Sequence, residues 1–286
     1  MEIKPLAFDS FGVRSAATLV QTDVKIVIDP GADVGPKRYG LPPSRTELER
    51  LSQLSGIIRD HAHKAEILVI SHYHHDHYFP DADFYEGKIL LIKHPRQDIN
   101  YSQKQRSSEL LNWIGKKSKR IEFSDGKTFK FKKTRIAFSP AVWHGESNSR
   151  SGFVLMCSIS FGREKLVHAS DVQGPQLDAT TQWIIDENPD VLIISGCPTM
   201  FLGSKLPSQG LEQSNKNLIK ILQQTKVKTI ILDHHLVRDL NYRDKIERVL
   251  KTAIELNKRV ITAAEYSGKP VELLEAQRKN LWEEET

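Results

Sequence analysis

The run Ile67-Leu68-Val69-Ile70-Ser71-His72-Tyr73-His74-His75-Asp76-His77 constrains this chain more than any other stretch, because an apolar strand there ends in four histidines and an aspartate. A strand of Ile, Leu and Val is buried and stiff, so it delivers the turn at its C-terminal end as a fixed platform. His72 and His74 are two residues apart and leave the same side of an extended segment, while Asp76 and His77 follow once the chain bends. That arrangement suits two adjacent cations. Imidazole nitrogen and carboxylate oxygen are ligands for Zn²⁺, Mn²⁺ or Fe²⁺, and the lack of a nearby cysteine argues against a closed structural zinc site. The plain alternative is a histidine-rich surface turn, which would not need a buried strand in front of it.

The spacing His72-x-His74-x-Asp76-His77 resembles the signature of the metallo-beta-lactamase fold superfamily. Members carry three further metal-binding positions downstream, each near a strand end, and this chain has a candidate for each. Val142-Trp143-His144-Gly145 offers a histidine after a short apolar stretch. Leu166-Val167-His168-Ala169-Ser170-Asp171 offers an aspartate just beyond an apolar strand, and Ile230-Ile231-Leu232-Asp233-His234-His235 offers the last histidine. The motifs run in order from residue 24 to about residue 235. More narrowly, Asp29-Pro30-Gly31, the Gly/Pro-rich stretch from Gly35 to Pro43, and the stretch from Asp233 to Asp239 resemble an uncharacterised, mostly archaeal branch of the superfamily, which names no substrate.

The resemblance implies an α+β fold, a four-layered αββα sandwich with metals at one edge between the two sheets. It further implies a dinuclear centre, with one metal on His72, His74 and His144, the other on Asp76, His77 and His234, and Asp171 bridging. The cofactors would be two divalent ions, Zn first, with Mn or Fe also admitted by the ligand types. Asp76 would be catalytic as well as ligating, orienting a metal-bridging hydroxide formed from water whose pKa a Zn²⁺ ion lowers to about 7. His234 and His235 compete for the last position, since strand alternation turns one of them away; the family pattern favours His234 and leaves His235 as the alternative. His75 occupies a variable position and would point away from His74. His168 reads as a core histidine, and Asp29 as a structural acceptor beside the ligand loop.

Dispersal of the motifs over a 286-residue chain predicts a single metallo-beta-lactamase-like domain over 1–286, since one fold must bring His72 and His234 together. With 39% hydrophobic residues there is material for a core, and no segment approaches the roughly 20 apolar residues of a membrane span. The first residues form no apolar signal core, so a cytoplasmic location is expected. Cys157 and Cys197 sit in apolar contexts and read as buried free thiols. The formal charge of +5 is modest, but residues 116–133 concentrate lysines in a basic block. That block would attract a polyanion such as nucleic acid, or it is a solvated edge strand guarded by lysines, with Phe129 and Phe131 facing inward; the second reading is preferred.

Strands are predicted near Leu6–Phe8, Thr18–Gln21, Lys25–Asp29, Ile89–Lys93, Phe153–Ile159, Leu166–Ala169, Val191–Ser195 and Thr229–Leu232. Helices are predicted from Ser44 to Ala65, with Leu48, Leu51, Leu54, Ile57 and Ile58 on one face, around Gln103 to Ile114, near Leu177–Asp186, near Gln213–Gln224 and from about Tyr242 to Leu256, before a short terminal segment. Lys37, Arg38 and Tyr39 lie in a loop that could overhang the site and bind an anionic substrate, or simply connect. The apolar loop Cys197–Gly203 could line a pocket or meet another subunit of a homo-oligomer, and Trp143 is expected to wall the cavity.

These features favour a hydrolase of phosphodiester bonds in a small-molecule or short ester substrate, supported by the basic balance and the Lys37-Arg38 loop. A lactonase or thioesterase with the same centre is the alternative. A metal-dependent module without catalysis comes third; redox members of the superfamily usually carry an acid where this chain has His74. Beyond the substrate, only the basic block speaks for nucleic acid as a partner, no membrane partner is expected, and a homo-oligomer is admitted.

Overall fold

The computed structural model describes residues 1–285. Its first six strands, β1 (Glu2–Phe8), β2 (Ala16–Gln21), β3 (Lys25–Ile28), β4 (Ile67–Ile70), β5 (Ile89–Ile92) and β6 (Arg120–Phe123), form one sheet in chain order. β1 to β3 pair antiparallel, and from β3 onward the pairing is parallel. Helix α1 (Arg45–Lys64) makes the crossover from β3 to β4, and α2 (Tyr101–Ile114) the one from β5 to β6, as parallel neighbours require. β4 lies inside this parallel group with every residue buried, which is why it reads as an unbroken apolar run.

The second half contributes β7 (Thr128–Phe131), β8 (Thr134–Phe138), β9 (Val142–Trp143), β10 (Phe153–Val154), β11 (Cys157–Phe161), β12 (Glu164–His168), β13 (Val191–Ser195), β14 (Thr229–Asp233) and β15 (Arg259–Ile261). β9 and β10 pair with each other; the rest form a sheet in the order β15-β14-β13-β12-β11-β8-β7, parallel from β12 to β15. The connecting helices are α3 (Asp178–Glu187), α4 (Ser208–Gln224), α5 (Tyr242–Lys245) and α6 (Glu247–Glu255), followed after β15 by α7 (Ala263–Tyr266) and α8 (Leu274–Glu285).

Strand alternation sorts the second sheet between two cores. Leu166, Ile193 and Ile231 join a core that includes the first sheet, α1 and α2, whereas Val167, Leu192, Ile194, Ile230 and Leu232 pack under α3, α4 and α6. The layers are therefore helix, sheet, sheet, helix, the αββα sandwich that the motifs implied. Cys157 and Cys197 are buried free thiols. No helix among the described residues is long and apolar enough to cross a membrane.

Three local expectations change. Ser44 caps α1 in a capping box with Glu47, but the buried stripe is Glu47, Leu54, Ile58 and Ala62, while Leu48 and Ile57 are 51% and 37% exposed. The neighbours of α1 cover only part of its wide apolar face. The predicted strand Phe153–Ile159 breaks into β10 and β11, because the Leu155 amide turns aside to donate to the Ser71 carbonyl at 3.0 Å. The terminal segment is a strand and two helices rather than a short tail. α8 is polar on most sides and gives little periodic signal; ion pairs hold it, with the fully buried Arg278 guanidinium on Glu47 at 2.7 Å and Arg14 on Glu275 at 2.6 Å. In the basic block, β6 and β7 are the terminal strands of their sheets, the lysines of β7 and its turn are exposed, and Phe129 meets Phe138 edge-on at 6.1 Å. That is the guarded-edge reading.

Candidate metal centre

The C-terminal ends of the parallel strands of both sheets converge, and the singled-out residues sit in the turns just beyond them, where open α/β sheets characteristically bind ligands. Asp29 follows β3, His72 to His77 follow β4, Asp171 follows β12, and His234 and His235 follow β14; His144 follows β9. The Ser71 and Ser170 hydroxyls join the two sheets at 2.7 Å directly beneath these turns. Asp29, Ser170 and His234 adopt left-handed backbone conformations with φ of 49°, 52° and 54°. Such strain costs roughly 1–2 kcal/mol per non-glycine residue, and each kink turns the chain sharply at a strand end.

Asp171 is the hub. It is 1% exposed, and its Oδ2 lies 3.1 Å from His144 Nε2, 3.3 Å from His77 Nε2, 3.7 Å from His235 Nε2 and 3.8 Å from His72 Nε2. Its Oδ1 lies 3.4 Å from His234 Nε2, which is in turn 3.6 Å from Asp76 Oδ2. His74 Nδ1 is 3.0 Å from His72 Nε2. Donor atoms of His72, His74, His144 and Asp171 lie within 4.8 Å of one another, as do those of Asp76, His77 and His234, and those of Asp171, His234 and His235. The chain thus gathers all seven candidate ligands and the alternative, His235, in one place.

The chemistry of these atoms fits cations. His77 Nε2, His144 Nε2 and Asp171 Oδ1 are buried with no hydrogen-bond partner among the described residues, a cost that coordination would remove. The outer nitrogens are held in place. His77 Nδ1 meets Asp29 Oδ2 at 2.8 Å, while the same carboxylate accepts from the Ser71 amide and hydroxyl at 2.8 and 2.7 Å. His234 Nδ1 meets Asp9 Oδ2 at 2.5 Å, and Arg238 Nε donates to Asp9 Oδ1 at 2.5 Å. Carboxylates behind imidazoles in this way fix the tautomer and aim Nε2 at a metal.

In the polypeptide alone these groups divide by charge. Burial, then the neighbouring His77 and His74, holds His72 well below the ordinary imidazole range, and burial with His144 brings His74 to about 3. Burial also opposes charge on His77 and His234, but Asp171 and Asp29 outweigh it for His77, and Asp171 and Asp9 lift His234 to about 9. Asp171 is itself held well below the carboxylate range, since His234, His77 and His235 more than offset its burial.

Several sequence expectations take definite shape here. Alternation does not separate His234 from His235: the left-handed turn at His234 ends the strand and opens a 3-10 turn, so both rings reach Asp171. His75 is exposed, and His168 is a core histidine bonded through Nε2 to the Ala16 carbonyl at 3.0 Å. Trp143 does not wall the cavity; it stacks on Phe153 at 3.9 Å. Lys37, Arg38 and Tyr39 are not among the residues lining the cleft above the centre. Arg38 instead backs it, donating to Met200 Sδ and to the Arg238 carbonyl at 3.1 Å, and Tyr39 donates to the Ala276 carbonyl. The Cys197–Gly203 loop does line the cleft, through Pro198, Met200 and Phe201. Sequence reasoning missed Asp9 and Arg14, which carry no local motif, and gave Arg238 no role although it lies in the Asp233–Asp239 stretch.

No family profile matches the chain. A UPF0282 protein from Methanopyrus kandleri is 42% identical over 299 aligned residues, covering 100% of both chains. The chain belongs to the UPF0282 family. Among solved structures, this UPF0282 chain is similar to the metallo-beta-lactamase fold protein YhfI from Bacillus subtilis, with a TM-score of 0.51 and 16% identity, covering 87% of this chain and 89% of that one. It is also similar to unliganded yeast PDE1, with a TM-score of 0.54 and 10% identity over 91% and 96% of the two chains. Identities this low speak for the fold alone, and the fold of this UPF0282 protein is the metallo-beta-lactamase fold.

Proposed function

We propose that this UPF0282 protein is a dinuclear metal-dependent hydrolase acting on phosphodiester bonds of a small or short substrate. The observation that carries the reading is Asp171, a buried carboxylate with five imidazole nitrogens within 3.8 Å of its oxygens and, among the described residues, no hydrogen-bond partner on Oδ1. His72, His74 and His144 would hold one cation and Asp76, His77 and His234 the other, with Asp171 between them. When bound, two such cations supply a water of lowered pKa and positive charge for the substrate oxygen. Asp29 and Asp9 keep His77 and His234 aligned through their Nδ1 atoms. Asp76, less buried than Asp171 and lining the cleft, is the side chain assigned to orienting the attacking water.

The cleft supports the substrate class. It encloses about 820 Å³, room for a small molecule, and Arg14, Arg106, Arg150, Lys205 and Arg238 line it, against Asp33 and Glu146 outside the ligand cluster. One observation favours the lactonase or thioesterase alternative: Pro198, Met200, Phe201 and Leu206 form an apolar stretch of wall that could take an acyl chain.

A matched assay decides between them, using an aryl phosphodiester, a lactone and a thioester on protein of measured zinc, manganese and iron content. A rate on the diester that Asp76→Ala abolishes is expected. Turnover of the lactone alone would replace the reading with the alternative, and no turnover of any ester would leave a non-hydrolytic module.

A further inference from the structure

We propose that Arg14 and Arg238 form an oxyanion subsite beside Asp76 that receives the non-bridging oxygens of a tetrahedral phosphoryl group. The inference rests on the phosphodiester reading and assigns a substrate-binding role to two residues that lie outside every metal motif.

The two guanidiniums reach the cleft from different parts of the chain, Arg14 from the turn before β2 and Arg238 from the turn after β14, and both line it. Each is anchored from behind by a carboxylate. Glu275 takes Arg14 Nε and Nη2 at 2.6 and 2.7 Å, and Asp9 takes Arg238 Nε at 2.5 Å. These contacts fix the planes of the two forks from behind. Arg14 spends Nε and Nη2, one edge of its fork, on Glu275. Arg238 Nη2, on a side chain only 5% exposed, is 3.9 Å from Asp76 Oδ2, beyond hydrogen-bond range. Its nearer neighbours are the ring nitrogens of His234 at 3.3 and 3.4 Å; of these Nδ1 already meets Asp9, and Nε2 faces Asp76 and Asp171.

A buried guanidinium with open donors facing a cleft is the arrangement that binds an oxyanion. Asp9 and Glu275 offset the charge from behind, so the pair offers directed N–H groups more than net charge, which selects on geometry. A carboxylate has two oxygens and is filled by one fork. Two forks lining one cleft beside a pair of candidate cation sites offer more donors than that, and a phosphoryl group has the oxygens to use them. The surroundings preserve the arrangement: a β-carbon on Gly35 would come 2.5 Å from Arg14 Nη2 and 2.8 Å from the Glu275 carboxylate, so the glycine leaves room for the pair.

The test is calorimetric titration of the metal-loaded protein with inorganic phosphate and, separately, acetate. Arg14→Gln leaves Asp9, Arg238 and the ligands untouched, and is expected to weaken phosphate binding roughly tenfold or more at unchanged metal content, with acetate weakened much less. Arg238→Gln should do the same, with metal content measured because Arg238 shares Asp9 with His234. If Arg14→Gln fails to fold, Arg14→Lys keeps the charge and loses the fork, and a several-fold loss for phosphate is still expected. Lys130→Gln, far off on the edge of the second sheet, should change nothing. Phosphate affinity within about twofold of the unmodified protein in the Arg14 variants, or equal losses for both anions, would overturn the subsite. Arginine-dependent phosphate binding without diester hydrolysis would overturn the function and leave the subsite standing. Diester hydrolysis with a KM indifferent to Arg14 would do the reverse.

Discussion

Asp9 Oδ2 meets His234 Nδ1 at 2.5 Å across 225 residues of sequence, and this contact ties the turn after the first strand to the last candidate ligand. Burial alone would raise the Asp9 carboxyl, but Arg238 and His234 together hold it well below the usual carboxylate range. Asp9→Asn keeps the shape and removes the charge. It should lower affinity for the more weakly held cation by about 10- to 100-fold, the usual effect of losing a carboxylate behind a ligating histidine. Competition with a metal-sensitive dye reads this directly; a chain that keeps both cations as tightly as before would show that Asp9 serves Arg238 alone.

The ligand loop also depends on close backbone approach. A β-carbon on Gly31 would fall within the backbone of His77 and Tyr78, where no side chain can swing aside. Gly31→Ala should cost about 3 kcal/mol, the upper end of overpacking, and disturb His77 with it. Urea unfolding measures the loss, and a cost below about 1 kcal/mol would mean that the loop relaxes freely.

Arg278 and Glu47 are 0% and 1% exposed and form a buried pair at 2.7 Å between α8 and α1. Removing one partner strands the other charge. Glu47→Ala should therefore destabilise by about 3–5 kcal/mol, well beyond the capping contact to Ser44 that it also loses. Denaturation of Glu47→Ala beside Ser44→Ala separates the two contributions, and equal losses would assign the whole effect to the cap.

The raised pKa of His234 gives two opposite pH dependences. In the metal-free protein its value of about 9 lies above the ordinary 6.5, so the folded chain binds the proton more tightly than the unfolded chain. This stabilises the fold fully below pH 6.5, and the contribution is lost as pH rises through 9. Cation binding needs the neutral imidazole, so affinity should climb over the same window. The thermal midpoint of the metal-free protein is expected to fall across this range while metal affinity increases. A midpoint that does not fall would remove His234 as the titrating group.

Much of the fold was legible because buried parallel strands write themselves as apolar runs, and the metal turn follows one of them. Val191–Ser195 matches its predicted bounds, and Ser44 caps α1 because the Ser-x-x-Glu pattern is purely local. α8 was not legible, since its ion pairs to Arg14 and Glu47 join positions far apart in the chain and leave no periodic trace.

The centre divides in the same way. The sequence by itself determined which donor types gather after which strands, because ligand spacing within a turn is a local property. Tertiary structure decided that Asp171 is the hub, that a left-handed turn brings both His234 and His235 to it, and that Asp9, Arg14 and Arg238 stand behind and beside them. Those relationships arise where strand ends from two sheets and a distant helix meet, and contacts between remote segments leave no pattern along the chain.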